Sequence, residues 1–314
     1  MNILLCGSWD DAERDAWADA LRAGLAPRDR LVLQRGEVDD ALIDAAIVAN
    51  PPLGSLAGLT GLRLIQSLWA GVDRLLQDDS LPPEVPIARM VDPAMNAAMA
   101  ETALWAVLSL HRGFFDCAQQ QRDGIWHQAP QALADEVPVL VLGHGQMGRA
   151  AAQRLAQLGY PVSTWGRQPS AHSLPGVRHR HGEAGLKSAL AKACIVVNLL
   201  PLTAATRGIL GQALFDQLPA GASIVNLARG AHLLEVDLLK ALDTGRVHRA
   251  VLDVFYSEPL PAGHPFWSHP RVTVLPHVAA QTDLRSAAAV ALANIDALAR
   301  GAPLAHTVSR SAGY

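Results

Sequence analysis

Six residues, in two groups, carry the chemistry that can be read directly from residue type and spacing. The first group is Gly143-x-Gly145-x-x-Gly148, which follows the apolar run VPVLVL and opens the helical pattern QMGRAAAQRLAQLG. In that bracket Gly143 permits a tight turn and Gly145 lets the backbone approach a pyrophosphate. Gly148 allows close helix packing, and the helix amides, Gln146 and Met147 among them, face the phosphates. His144 replaces the small residue often found at its place, and an imidazole near phosphates is tolerable. The second group lies in VNLARG, LDVFYSEP and TVLPHVAA, each a buried-looking strand that exits on a polar residue: Arg229, Glu258 and His277. A guanidinium is a planar fork for a carboxylate. An imidazole moves protons near neutrality, and a carboxylate on its second nitrogen orients it. Taken singly, each has a plainer reading: Arg229 as a partner for a helix C-terminus, Glu258 as a turn residue before Pro259, His277 as a core histidine.

The elements that must position these residues alternate between short apolar runs and helical patterns, which predicts an α/β chain with parallel sheets. Strands are expected at Asn2–Cys6, Leu31–Leu33, Ala46–Ala49 and Leu62–Ser67, and then at Val137–Leu142, Val162–Trp165, Cys194–Leu199, Ser223–Leu227, Arg249–Val254 and Val272–Leu275. Asp10–Leu25 reads as an amphipathic helix with acidic residues at its positive end. A single long helix is expected from about Met95 to Arg122, with Pro93 just ahead of it. Leu284–Arg300 makes a last helix, followed by an irregular tail. Two Rossmann-like or flavodoxin-like domains follow: 1–100 with 285–314 as a substrate domain, and 101–284 as a dinucleotide domain. The catalytic cleft is expected between them, since such sheets bind ligands at their carboxyl ends.

The composition of the 314 residues narrows the function classes. A formal net charge of −3, with 18% charged residues and no like-charge block, gives no electrostatic case for nucleic acid or an anionic membrane. No apolar run is long enough to span a bilayer, and the N-terminus has no basic segment ahead of an apolar one. Cys6, Cys117 and Cys194 show no paired spacing, and the twelve histidines are scattered without zinc spacing. A cytoplasmic, metal-free protein is expected.

With its motifs in this order, the chain resembles the D-isomer-specific 2-hydroxyacid dehydrogenases. Their catalytic set is an Arg after NxARG, a Glu in DVFxxEP and a His in PHxA, and SLWAGVDRLL matches their substrate loop. Within the family the sequence is most similar to the bacterial A-type glyoxylate/hydroxypyruvate reductases, through HQAPQ, LPLTAATRGIL, NLARGAHLLEVDLL, PFWSHPRV and the terminal AGY. The resemblance implies reduction of a small 2-keto acid, with His277 as general acid, Glu258 orienting it and Arg229 holding the substrate carboxylate and polarising the carbonyl. It also implies that the amides of Ala70, Gly71 and Val72 bind that carboxylate, with Trp69 narrowing the pocket. Leu200, Pro201 and Thr206 would flank the cofactor, with Ala279 and Ala280 beside the nicotinamide. Asp253 would contact its carboxamide, a turn carboxylate being the plainer reading. Trp126 resembles the tryptophan that some relatives insert into the partner subunit's active site. An interface aromatic is the alternative, and both imply a homodimer. Arg89 faces either the substrate or solvent.

For the cofactor the residues themselves are informative. A carboxylate about 20 residues beyond the glycine loop selects NAD. Here the second strand ends in Gly166-Arg167-Gln168-Pro169-Ser170, and no acidic residue comes before Glu183. NADPH preference is expected, through Arg167 and Ser170, with NAD as the possible alternative. Other enzymes of the fold, of D-lactate or D-3-phosphoglycerate type, stand as rivals, although the chain ends soon after its last helix without a regulatory domain. Formate dehydrogenases carry glutamine where Glu258 stands. A nucleotide-sensing protein on the same fold is the rival from another class.

Overall fold

The computed structural model describes residues 1–314 and divides into two compact units: Met1–Met95 with Thr282–Tyr314, and Asn96–Gln281. In the first unit, β1 (Asn2–Gly7), β2 (Arg30–Val32), β3 (Ile43–Ala49), β4 (Leu64–Ser67) and β5 (Ile87–Ala88) form a parallel sheet in the order β2-β1-β3-β4-β5. This is the flavodoxin-like order. Helix α1 (Asp11–Gly24) starts where the side chain of Asp10 accepts the Glu13 N–H at 2.8 Å. It buries Trp17, Ala18 and Leu21.

Helix α2 (Pro93–His111) and helix α3 (Phe114–Asp123) occupy the stretch expected to be one helix. The break falls at Gly113, whose φ of 67° is left-handed and ends the first helix. The remainder of the second unit runs as β6 (Val139–Leu142), α4 (Gln146–Gln157), β7 (Val162–Gly166), β8 (Val177–His181), α5 (Gly182–Leu190), β9 (Ile195–Asn198), α6 (Gln212–Phe215), β10 (Ala222–Asn226), α7 (Glu235–Asp243), β11 (Val247–Leu252) and β12 (Val272–Val274). All seven strands are parallel, in the order β12-β11-β10-β9-β6-β7-β8. Counted from β6, this is the Rossmann order with a seventh strand, and its direction reverses between β6 and β9.

The central strands of this sheet are mostly apolar on both faces, as a sheet covered by helices on each side requires. Val139 and Val141 of β6 pack with Ala151, Ala152 and Leu155 of α4, and with Ala103 and Val107 of α2. Leu140 and Leu142 point the other way, into a core with Leu190, Phe215, Leu238 and Leu242. Two strands were not legible in advance. The first, β5, has only two residues, and β8 reads VRHRH, an edge strand paired only with β7. Helix α8 (Leu284–Arg300) returns to the first unit, and its N-cap Asp283 accepts the N–H groups of Arg285 and Ser286. No helix is long and apolar enough to cross a membrane.

Candidate active site

The glycine loop joins β6 to α4 at the point where strand order reverses, and its three glycines differ in what surrounds them. Gly143 has φ 113°, and a Cβ there would lie 2.6 Å from the Leu199 carbonyl oxygen. At Gly148 a Cβ would lie 2.3 Å from the Gly143 carbonyl oxygen, so the first turn of α4 rests on the loop itself. Gly145 meets nothing within 4 Å and caps α4 with exposed backbone. Two glycines are therefore demanded by packing, and the middle one leaves open space in front of helix amides. That arrangement fits the pyrophosphate of a dinucleotide. His144 is turned away from this space. Its ring nitrogens meet Thr164 Oγ1 at 2.8 Å and the His172 carbonyl at 3.0 Å, tying the glycine loop to the segment after β7. Burial, then the neighbouring His179 and Arg149, push its pKa below the usual histidine value. Arg167 is exposed just past the end of β7, and the Ser170 hydroxyl accepts the His172 N–H at 3.1 Å.

The three polar strand exits come together through backbone packing. Arg229 is extended and precedes a 3₁₀ turn, Gly230–His232. A Cβ on Gly230 would lie 1.9 Å from the Phe255 carbonyl carbon, so only glycine lets this loop rest on the chain leaving β11. Glu258 lies on that same chain. One carboxylate oxygen accepts the Phe255 N–H at 2.9 Å, and the other is 2.7 Å from His277 Nδ1. With Nδ1 committed to Glu258, the free ring nitrogen is Nε2, on a side chain that is 54% exposed.

His277 has a positive φ of 56°, which for a residue of this type costs about 1–3 kcal/mol. Asp253 offsets that cost. Its carbonyl accepts the His277 N–H at 2.9 Å, and its carboxylate accepts the N–H groups of Val278 at 2.7 Å and Ala279 at 3.1 Å. Burial raises the Asp253 pKa above the ordinary carboxylate value, and the two amides oppose that rise. Each of its oxygens thus accepts one backbone amide of the turn. Ala279 is buried, and its carbonyl accepts the Thr102 hydroxyl at 2.7 Å. Leu200 is buried, and Thr206 Oγ1 donates to the exposed Pro201 carbonyl at 2.7 Å.

In the first unit, the loop after β4 holds Trp69, Ala70, Gly71 and Val72. Ser67 Oγ bonds both the N–H and the carbonyl of Trp69 at 3.0 Å, and Trp69 stands edge-on to the buried Trp17, ring centroids 6.2 Å apart. Val72 is buried, and the Ala70 and Gly71 amides pair with no carbonyl of the chain. Arg89, at the end of β5, is half-buried, and burial lowers its pKa from the usual arginine value. Trp126 lies outside any helix or strand and is 93% exposed. What sequence reasoning missed was that Asn198, the motif residue Asn226 and His232 form a fully buried polar set; Asn226 and His232 lie within quoted motifs, but nothing in the sequence marks their meeting.

A seven-stranded Rossmann sheet with an open glycine loop, together with an arginine, a glutamate–histidine pair and their supporting turns, defines a pyridine-nucleotide-dependent oxidoreductase. Residues 104–279 match the NAD binding domain of the D-isomer specific 2-hydroxyacid dehydrogenases, and the chain belongs to that family. It is 38% identical to a glyoxylate/hydroxypyruvate reductase A of Yersinia enterocolitica, with all of both chains covered. Among solved structures it is similar to a D-isomer specific 2-hydroxyacid dehydrogenase of Xanthobacter autotrophicus in complex with NADPH and MES. There the TM-score is 0.93 and identity 37%, over 100% of this chain and 99% of that one. It is also similar to an NADPH-dependent glyoxylate/hydroxypyruvate reductase of Sinorhizobium meliloti bound to NADP and sulfate, with a TM-score of 0.89 and 32% identity over 100% and 99% of the two chains.

Proposed function

We propose that this protein is a cytoplasmic reductase that converts glyoxylate to glycolate and hydroxypyruvate to D-glycerate, with NADPH as the hydride donor. The observation that carries this reading is the 2.7 Å contact between Glu258 and His277 Nδ1, which leaves Nε2 open. Reduction of a keto group places negative charge on its oxygen and requires a proton there. His277 gives that proton from Nε2 and takes it back in the oxidation direction. Glu258 fixes the ring plane and stabilises the imidazolium. Arg229 binds the carboxylate and polarises the carbonyl oxygen, favouring the transition state, where charge is largest. The amides of Ala70, Gly71 and Val72 are assigned to the substrate carboxylate on the family resemblance, and Trp69 to limiting substrate size.

When bound, the nicotinamide supplies the hydride. The chain's part is to hold it: Gly143, Gly145 and Gly148 shape the pyrophosphate seat, with Gln146 and Met147 amides at the start of α4. Leu200, Pro201, Thr206 and Ala279 pack around the nucleotide, and Asp253 keeps the His277 turn in place. Arg167 and Ser170 receive the 2′-phosphate at a strand end that carries no carboxylate to repel it. The NADPH named with the Xanthobacter and Sinorhizobium structures supports this preference.

The protein works as a homodimer in this reading. Apolar residues surround α2, yet Leu104, Trp105, Leu108 and Phe114 line an open groove of about 540 Å³ on α2 and α3. Trp126 stands exposed in the same unit, and an exposed apolar face of this kind marks an interface. The test is oxidation of NADPH and NADH followed by absorbance with a panel of 2-keto acids, with the mass in solution measured by light scattering. Fastest turnover with glyoxylate and hydroxypyruvate and NADPH, from a dimer, is expected. Nucleotide binding without turnover of any keto acid would point instead to a nucleotide sensor.

A further inference from the structure

Polar groups in a protein interior must find partners, and the direction of each hydrogen bond then follows from which group can donate. Asn198 ends β9 and Asn226 ends β10, and the register of the two strands sets them side by side. His232 ends the 3₁₀ turn that follows Arg229. The Asn198 side-chain NH₂ donates to Asn226 Oδ1 at 2.9 Å and to His232 Nδ1 at 3.0 Å. Asn226 donates to the Arg229 carbonyl at 3.0 Å, and its Oδ1 also accepts the Ala228 N–H at 3.3 Å. At the other end, Asn198 Oδ1 accepts the Leu200 N–H at 3.3 Å, and His232 Nε2 lies 3.3 Å from the Pro201 carbonyl.

These backbone groups dictate one arrangement. Turning over Asn226 would set its oxygen against the Arg229 carbonyl, and turning over Asn198 would set its NH₂ against the Leu200 N–H. With the Asn198 NH₂ as donor, Nδ1 of His232 is the acceptor, so the ring proton is on Nε2 and is donated to Pro201. A second proton on Nδ1 would set that N–H against the Asn198 NH₂.

The network joins two stretches that have different tasks. One holds Leu199, Leu200 and Pro201, and the Leu199 carbonyl sits against Gly143 of the glycine loop. The other carries Arg229. We propose that His232 is a positioning residue, locking the Leu200–Pro201 backbone to the arginine loop so that cofactor and substrate are presented in one register. This inference rests on the function proposed above.

Three substitutions separate the Asn198 bond from the Pro201 bond. His232→Gln reaches the Nε2 position and keeps a donor for Pro201. His232→Asn reaches only the Nδ1 position and keeps an acceptor for Asn198. His232→Leu keeps neither. Equilibrium binding of NADPH, followed by its fluorescence, should be within about threefold of wild type for Gln and weakened about tenfold for Asn and Leu, roughly 1.4 kcal/mol. In Leu, kcat/KM for glyoxylate should fall roughly a hundredfold with the shape of its pH profile unchanged, because the ring moves no proton. In the cofactor-free protein, ¹⁵N NMR of the ring should show the neutral Nε2–H tautomer.

Equal affinities for the Gln and Asn variants would overturn the lock. So would a lowered melting temperature in all three with wild-type affinity and turnover, a protonated ring, or an altered pH profile. The binding order needs no turnover. A wild-type protein that reduces no keto acid would therefore refute the proposed reaction while the lock is still tested by affinity.

Discussion

His277 and His232 both follow parallel strands of the same sheet, and their surroundings put the imidazole to opposite uses. His277 is half-exposed, and its Nδ1 meets the Glu258 carboxylate at 2.7 Å. His232 is fully buried and meets the side-chain amide of Asn198, whose NH₂ donates to Nδ1 at 3.0 Å. The lesson is that residue type alone does not make a proton carrier. In the proposed reaction, the partner on the second nitrogen is what separates a ring that hands on a proton from one that ties two loops together.

The largest expected effect breaks the exposed half of this comparison. His277→Asn should lower kcat by roughly 10²–10⁴ while NADPH affinity changes little, because only proton transfer is lost. Steady-state kinetics across pH together with a binding titration checks both parts, and wild-type turnover would remove His277 from the chemistry. Arg229→Ala comes next, with kcat/KM for glyoxylate down by about 10²–10³ and the melting temperature nearly unchanged. A large fall in melting temperature with an intact KM would make the guanidinium structural.

Glu258→Gln converts the partner of His277 into an amide, the kind of partner His232 has. Turnover of glyoxylate should then fall by roughly 10–100-fold with NADPH affinity near wild type, since the ring loses the partner that orients it. Wild-type turnover in steady-state kinetics would show that Glu258 merely ties down the Phe255 amide.

The motif residues were legible because each sits where a strand exits, and GxGxxG, NxARG, DVFxxEP and PHxA are contiguous in the chain. The buried network was not. Asn198, Asn226 and His232 become neighbours only through the register of β9 against β10 and the turn forced by Gly230. The strands of both sheets could be read from apolar runs such as VLVL and IVVN. VRHRH could not, because β8 lies at an edge where one neighbour suffices and polar side chains are tolerated. Gly113 was overlooked because a single glycine inside a helical pattern is usually absorbed, whereas here its left-handed φ separates two helices.

Two smaller effects lie away from both histidines. Gly166→Asp with Arg167→Ser should reverse the preference for NADPH, mainly by raising its KM, as a carboxylate at the end of β7 repels the 2′-phosphate. Equal kcat/KM with both cofactors in the wild type would refute the premise. The smallest effect is at Asp283. Its hydrogen bond from Arg285, then the Ser286 amide, lowers the carboxyl pKa from 3.8 to about 2. A depressed carboxyl contributes stability above its unfolded value, and that contribution is lost as pH falls through the folded one. Asp283→Asn should thus lower the melting temperature slightly at neutral pH and make no difference near pH 2, which calorimetry at several pH values would detect.

The polar strand β8 has a consequence for how the chain behaves while it folds and when it is concentrated. An open sheet ends in unpaired backbone donors and acceptors, which can template the addition of a foreign strand. On this sheet one border is β12, with only three residues, and the other is Arg178-His179-Arg180-His181. The guanidinium groups of Arg178 and Arg180 on that border oppose the approach of the same edge of a second copy. The strand that looked least like a strand thereby has the charged character that an open edge needs if it is not to pair with a foreign strand.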